Sequence, residues 1–489
     1  MKNRFGMVQT FMTTKIRPGG ICTFIACFLI SCFQAQAQSR ALTPDTKVDS
    51  LVRQHMSKRH IPGLALAIIR EGQVVRKAYY GTANVEHQSP VNESTRFAIA
   101  SITKQITCAT ILLLQEEGKL SVQDKLSTYI KELPASWAEI TLSHLMNHTS
   151  GLGDDWNEPT SYFFQHHTDE KMLSAQMGYP LYFKPGEGFY YSSGPFFLGL
   201  VIEKITGQPY SSFLKERVFD PLGMTSTAVY HHRTVVPERA AGYRWHEERL
   251  ENGEDIPPAA ESRADVGVLT TLDDMVTWSL ALKDNSLLKP ESLRQMFTPG
   301  TLASGHAIPY GYGWYIYYFR NELIIEHGGL FRTGFTSRIT HFSNNKLDVI
   351  ILCNLWEAGL FTLTNDITAQ YLDGFTRISD RKPQPDRDKK RTRALETMFR
   401  ELSLSPIKRG ELYQQTNFSG VEPETLETLL KGFQKLEFID LKRFTAQPLE
   451  LYGAKITRIA YYKAVAEQDT FWSFAFTDTG KLVFVNWED

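Results

Sequence analysis

The chain has 489 residues, enough for one large core and a smaller second one. Hydrophobic residues make up 42% of it and charged residues 22%, which excludes an intrinsically disordered chain. With 53 basic and 54 acidic residues the net charge is −1, so charge gives no case for a nucleic-acid partner.

At the N-terminus, Lys2, Arg4, Lys15 and Arg17 precede an apolar run from Ile21 to Phe33, and Ala35-Gln36-Ala37 follows. A basic start, a short apolar segment and a small-x-small site form the layout of a secretory signal peptide. Residues 1–37 are therefore expected to be cleaved before Gln38, with the protein exported to the periplasm or beyond. The run of 13 residues is shorter than a bilayer span requires. Leu29-Ile30-Ser31-Cys32 competes with this reading, because it resembles a bacterial lipoprotein box. Lipidation of Cys32 would be the one expected route to a membrane.

Removal of residues 1–37 leaves 49 basic residues against 54 acidic ones, a net charge of −5. Three of the five cysteines, Cys22, Cys27 and Cys32, leave with it. Cys108 and Cys353 lie in apolar stretches and read as buried free thiols. No Cys/His spacing suggests zinc, and His166-His167 and His231-His232 read as surface pairs. Neither a metal nor a cofactor is expected.

Val48, Leu51, Val52 and Met56 are spaced for an amphipathic helix starting near Asp45. Gly63–Ile69 and Val74–Tyr80, separated by Glu71-Gly72, read as a β-hairpin. Phe97 to Leu120 reads as one long apolar helix closed by Gly118. Residues 121–300 are loop-rich with several helices. Strands are then expected at Trp314–Tyr318, Leu323–Glu326, Thr336–Thr340 and Asp348–Cys353, pairing with the first hairpin in one antiparallel sheet covered by helices. Arg381 to Arg393 carries two prolines and dense charge, so residues 379–393 read as a linker. It divides a main domain, 38–378, from a small α+β domain, 394–489, with a helical part at 394–436 and strands near 455–465, 470–477 and 481–487. The sequence assigns no chemistry to that second domain.

A serine that transfers acyl groups needs a base beside its hydroxyl, and residues i and i+3 of a helix share a face. Ser-x-x-Lys supplies that pair, but it occurs five times, at Ser101/Lys104, Ser212/Lys215, Ser286/Lys289, Ser343/Lys346 and Ser405/Lys408. Ser343 lies in an Asn-Asn-Lys turn, Ser405 and Lys289 each precede proline, and Ser212 sits on a charged helix edge. Only Ser101 opens a helix surrounded by Ile102, Ile106, Ala109, Leu112 and Leu113. Burial there disfavours a charged lysine. The helix N-terminus also places the Ser101 N–H where an oxyanion could accept from it.

Around Ser101 the chain resembles the serine β-lactamase and penicillin-binding-protein superfamily, in its class C β-lactamase, DD-peptidase and esterase branch. Four further segments carry the resemblance in order and spacing. They are Ile140–Leu152, Pro185-Gly186 followed by Phe189–Ser193, Asp220–Met224, and His327-Gly328-Gly329 preceded by Gly311–Trp314. The likeness covers about 45–375. It implies an α+β, β-lactamase/transpeptidase-like fold, with an antiparallel sheet flanked by helices and a helical subdomain. It further implies that Ser101 attacks a carbonyl, that Lys104 and Tyr191 relay the proton, and that His327 helps hold the phenol and the substrate. The N–H groups of Ser101 and Leu330 would form the oxyanion hole, with Gly328 and Gly329 beside it. His144 and His148 are assigned to structure, around the loop at Asn147.

Ser193 departs from the family pattern, which has asparagine at that position. One short hydroxyl replaces a carboxamide that can donate and accept at once. The expectation is a serine hydrolase for a small-molecule or peptide substrate, with ester or narrow peptide cleavage favoured over efficient β-lactam hydrolysis. The rival is a weakly catalytic binding or scaffolding protein that keeps the fold. The sequence does not specify the oligomeric state.

Overall fold

The central sheet draws its strands from both ends of the main domain. The computed structural model describes residues 44–153, 173–174, 176–231, 233–254, 263–405, 417–419, 423–444 and 448–488. The expected signal peptide, Cys32 and His166-His167 lie outside the described residues.

After helix α1 (Pro44–Arg59) come strands β1 (Gly63–Arg70), β2 (Gln73–Asn84) and β3 (Ser89–Pro90). Helices α2 (Thr103–Glu116), α3 (Phe196–Thr206) and α4 (Leu272–Asp284) follow, among shorter turns of helix. Strands β4 (Tyr315–Phe319), β5 (Glu322–Phe331), β6 (Phe335–Phe342) and β7 (Leu347–Cys353) and helix α5 (Leu360–Thr368) complete this part. The sheet order is β3-β2-β1-β7-β6-β5-β4, and every pairing is antiparallel. β1 meets β7 in register from Leu64 opposite Cys353 to Arg70 opposite Leu347.

Side chains alternate across a strand, so an unbroken apolar run such as Gly63–Ile69 must have both faces covered. Leu64, Leu66 and Ile68 join Val48, Val52, Leu363 and Ile367 in a core under α1 and α5. Ala65, Ala67 and Ile69 turn the other way, into the larger core that holds α2 and the helical subdomain. Helix α2 is buried almost all round, from Thr103 to Leu112. It is shorter than the apolar run suggested: Phe97–Ala98 is a strand, and Ala100–Ile102 forms a 3₁₀ turn before the helix begins at Thr103.

The C-terminal part contains helix α6 (Lys389–Leu404), strand β8 (Asn417–Ser419), helix α7 (Pro423–Leu429) and strands β9 (Lys435–Arg443), β10 (Arg458–Val465), β11 (Thr470–Phe476) and β12 (Leu482–Trp487). Its sheet order is β8-β12-β11-β10-β9. Leu395, Phe399 and Leu426 pack on one face, against Tyr462, Trp472 and Phe474. Ile459, Tyr461, Ala475 and Phe484 face the opposite way and join the core of the main domain. Residues 44–488 thus belong to one compact unit. Helix α6 begins inside the stretch read as linker, because the Asp388 carboxylate accepts from the Arg391 N–H and caps it. Ahead of it, Gln384 N–H donates to Phe438 O at 2.7 Å, so that stretch is held to β9.

This second layer covers an open sheet edge. β4 pairs with β5 on one side and exposes backbone groups at alternate residues on the other. Tyr452 Oη donates to Ile316 O at 3.1 Å, Asn486 Nδ2 donates to Tyr318 O, and Arg320 N–H donates to Glu488 Oε2 at 3.3 Å. Tyr452 and Gly453 both have positive φ, 55° and 68°, which tightens the hairpin Leu449–Leu451/Ala454–Ile456 and presents Tyr452 at its tip.

Candidate active site

Ser101 sits in the 3₁₀ turn that feeds α2, one residue after Ala100, whose φ of +47° is unusual for a side-chain-bearing residue. In such a turn residues i and i+3 are nearly eclipsed. Lys104 Nζ donates to Ser101 Oγ at 3.1 Å, while the Lys104 side chain is only 3% exposed.

The lysine is held from below by a loop that the sequence reading missed. Its Nζ also donates to Asp265 O at 3.1 Å and lies 4.0 Å from Asp265 Oδ2. Asp265 in turn accepts from Arg263 Nε at 2.9 Å and Arg263 Nη2 at 3.0 Å, all within the core. Buried charges need paired, hydrogen-bonded partners, and this arginine–aspartate–lysine chain supplies them. The loop is fixed against α2 by Thr107 Oγ1 donating to Ala264 O and Val268 N–H donating to Thr103 Oγ1. It is fixed against α3 at Gly199, where a Cβ would stand 2.8 Å from that of Ala264. Nothing in the local sequence around Arg263 announces this role.

Tyr191 enters from the segment ahead of α3, and the Lys104 ammonium lies 5.1 Å from its ring centroid. The Tyr191 ring lies among His148 at 4.5 Å, Tyr315 at 5.9 Å and His327 at 5.9 Å between centroids. His327, on β5, is buried. Its Nδ1 lies 2.6 Å from Gly328 O, which can only accept, so Nδ1 carries the proton and Nε2 accepts from Tyr310 Oη at 2.8 Å. The phenol that donates to His327 is Tyr310, and the Tyr191 ring packs beside the imidazole. Burial, reinforced by the Lys104 charge, pushes the His327 imidazole down to about 3. Burial likewise pushes Tyr310 well above its ordinary value. Both groups are neutral near pH 7.

Glycines let the strand approach the turn that carries Ser101. A Cβ on Gly329 would fall 2.1 Å from Ile99 O and 2.3 Å from Ser337 Oγ, and Ser337 Oγ itself donates to Ile99 O at 2.8 Å. Ser101, two residues beyond Ile99, and Leu330, next to Gly329, both line the cleft. Ser193 is buried, and Leu330 is half exposed at 51%. Ser101, Lys104, Tyr191, Ser193, His327, Gly328, Gly329 and Leu330 all line one cleft of about 660 Å³. His144 keeps to its local task, completing a capping box with Thr141. His148 does more than hold the loop at Asn147, because it packs on Tyr191. Cys108 and Cys353 are free and buried, and His231 is exposed. Among the described residues no three or more His, Cys, Asp or Glu are grouped to hold a metal ion.

A helix-flanked antiparallel sheet with a serine–lysine pair under its inner strand defines the class, a serine hydrolase of the β-lactamase and penicillin-binding-protein superfamily. The chain belongs to the family described as Beta-lactamase, whose profile matches residues 48–372. It is 29% identical over 318 residues to penicillin-binding protein 4* of Bacillus subtilis (strain 168), covering 61% of this chain and 69% of that one. It is 28% identical over 307 residues to a D-aminopeptidase of Gluconobacter oxydans (strain 621H), covering 60% of this chain and 56% of that protein, less than two thirds of its length. The fold is similar to that of the octameric penicillin-binding protein homologue from Pyrococcus abyssi, with TM-score 0.57, 22% identity, and coverage of 90% of this chain and 98% of that one.

Proposed function

We propose that this protein is an exported serine hydrolase that cleaves an ester or amide through an acyl-enzyme at Ser101. The observation that carries the reading is the buried Lys104 Nζ, 3.1 Å from Ser101 Oγ in a cleft open to substrate. Ser101 Oγ forms a bond to the substrate carbonyl carbon as its proton passes to the Lys104–Tyr191 pair. The carbonyl oxygen becomes an oxyanion held by the Ser101 and Leu330 N–H groups. Collapse breaks the bond to the alcohol or amine, which leaves with a proton delivered through Tyr191. Water then attacks the acyl-enzyme, Tyr191 takes its proton, and the acid departs as Ser101 regains its hydrogen. His327, neutral and tied to Tyr310, lines the cleft and takes no proton in this reading.

Ser193 stands in the cleft where a carboxamide would be needed to grip an amide side chain. This supports esters and small amides over β-lactams. The D-aminopeptidase relative supports including amides of D-amino acids among the candidates. A fluorophosphonate probe should label wild-type protein at Ser101 and leave Ser101→Ala unlabelled. Equal labelling of the two would defeat the reading, and absence of label on the wild type would favour a binding protein that retains the fold. Turnover compared across p-nitrophenyl esters, D-amino-acid amides and β-lactams then identifies the substrate class. Export rests on the basic-apolar-small layout of residues 1–37, and the mass of the mature N-terminus separates cleavage before Gln38 from lipidation at Cys32.

A further inference from the structure

We infer that His148 is a positioning residue for Tyr191, holding the backbone on both sides of it and forming one wall of its ring. Three contacts made by one residue carry this. Tyr190 N–H donates to His148 O at 3.0 Å. Ser192 N–H donates to His148 Nδ1 at 3.2 Å. Between those two anchors, the Tyr191 ring lies 4.5 Å from the imidazole. The residues on either side of the phenol are thus fixed by a single side chain and its own carbonyl, 42 to 44 positions earlier in the chain.

The backbone at His148 is arranged for this purpose. Its φ is +61°, in the left-handed region where, glycine apart, asparagine, aspartate and histidine are the residues most often found. Here the loop is tied down on both flanks. Thr149 N–H donates to His144 O at 2.9 Å, Gly186 N–H donates to Thr149 O at 2.8 Å, and Tyr182 N–H donates to Gly151 O at 2.8 Å. The turn at Asn147–Gly151 is therefore stitched to the Pro185-Gly186 segment that leads into Tyr191.

The imidazole itself is only 1% exposed. Because Nδ1 accepts from Ser192, the neutral ring carries its proton on Nε2, which is buried and has no hydrogen-bond partner among the described residues. Burial, with Lys104 and His327 close by, keeps the ring uncharged, so no second cation competes with Lys104 for Tyr191. Tyr310, 4.8 Å away, closes the other side of the imidazole.

This inference rests on Tyr191 acting in the proton relay proposed above. The test uses the full-length chain with His148→Ala, His148→Asn and His148→Gln, each normalised to Ser101 sites titrated with a fluorophosphonate. Asparagine tolerates the left-handed φ and places an amide oxygen near the former Nδ1, so it keeps the acceptor for Ser192 N–H. Glutamine moves its amide one bond farther out and loses that acceptor. Displacing a catalytic group by about 1 Å can cost about 100-fold in rate. His148→Ala is expected to lose kcat on that scale with KM little changed, and His148→Asn to recover most of the loss. His148→Gln should resemble alanine. Wild-type kcat in the alanine variant, a loss confined to KM, or asparagine no better than glutamine at equal melting temperature would overturn the inference. Should the alanine variant fail to fold, the asparagine–glutamine comparison decides alone. A wild-type protein that takes no label at Ser101 would instead refute the underlying reading.

Discussion

Gly329 lies against the carbonyl of Ile99 so closely that a Cβ there would stand 2.1 Å from the oxygen. Strand β5 and the turn carrying Ser101 touch at this point, with Ser101 two residues beyond Ile99 and Leu330 next to Gly329. Gly329→Ala should push them apart, costing about 1–3 kcal/mol in stability and about 100-fold in kcat/KM. At Gly328 a Cβ would meet nothing nearer than 3.8 Å, so Gly328→Ala should melt like the wild type. Thermal melts and turnover of the pair check the contrast.

Lys104 donates to Ser101 Oγ at 3.1 Å and lies beside the Tyr191 ring, so both residues should act on the chemical step more than on binding. Lys104→Ala and Tyr191→Phe are each expected to lower kcat by about 10²–10⁴-fold, with a smaller change in KM. Steady-state kinetics on an activated ester, normalised to folded protein, measures this. Near-wild-type kcat in either variant would break the relay.

Buried neutral histidines should make the protein acid-labile. The unfolded chain takes up a proton near pH 6.5, whereas folded His327 resists until about 3. A depressed histidine value means that the unfolded state binds more protons below pH 6.5, so stability falls as pH falls through that window. Each unit lost costs about 1.4 kcal/mol for one such group. Urea unfolding between pH 6 and pH 4 should therefore show a shallower decline for His327→Gln than for the wild type.

The cap on the β4 edge predicts a stability effect from residues far along the chain. Tyr452→Phe removes the donor to Ile316 O and should cost about 0.5–1.5 kcal/mol. Asn486→Leu leaves the buried Tyr318 O without its partner and should cost more, about 1–3 kcal/mol. Denaturant midpoints at unchanged m-value would report both.

Much of the sheet was legible because strand periodicity and turn residues are local signals. Gly63–Ile69, Glu71-Gly72 and Asp348–Cys353 marked β1, its turn and β7, and the pairing of the two chain ends followed. The start of α2 was misread because Phe97–Ile102 is as apolar as the helix after it, and burial leaves no period to separate a strand, a 3₁₀ turn and a helix. Strand β9 went unassigned because Lys435–Arg443 lies almost wholly between the helical part ending at 436 and the strands expected from 455, and the irregularity between Phe438 and Asp440 breaks its alternation.

By itself, the sequence determined the neighbourhood of Ser101, with Lys104 three residues on in an apolar segment, and the resemblance added Tyr191 and His327-Gly328-Gly329 in order. Those are properties of spacing and residue type, which the chain carries wherever it folds. Only the tertiary structure decided what surrounds them. Arg263 and Asp265 under the lysine, Tyr310 on His327, His148 around Tyr191 and the C-terminal layer on the β4 edge are partners distant in sequence. They meet because burying charges and open backbone edges demands partners, and packing determines which residues are near enough to serve.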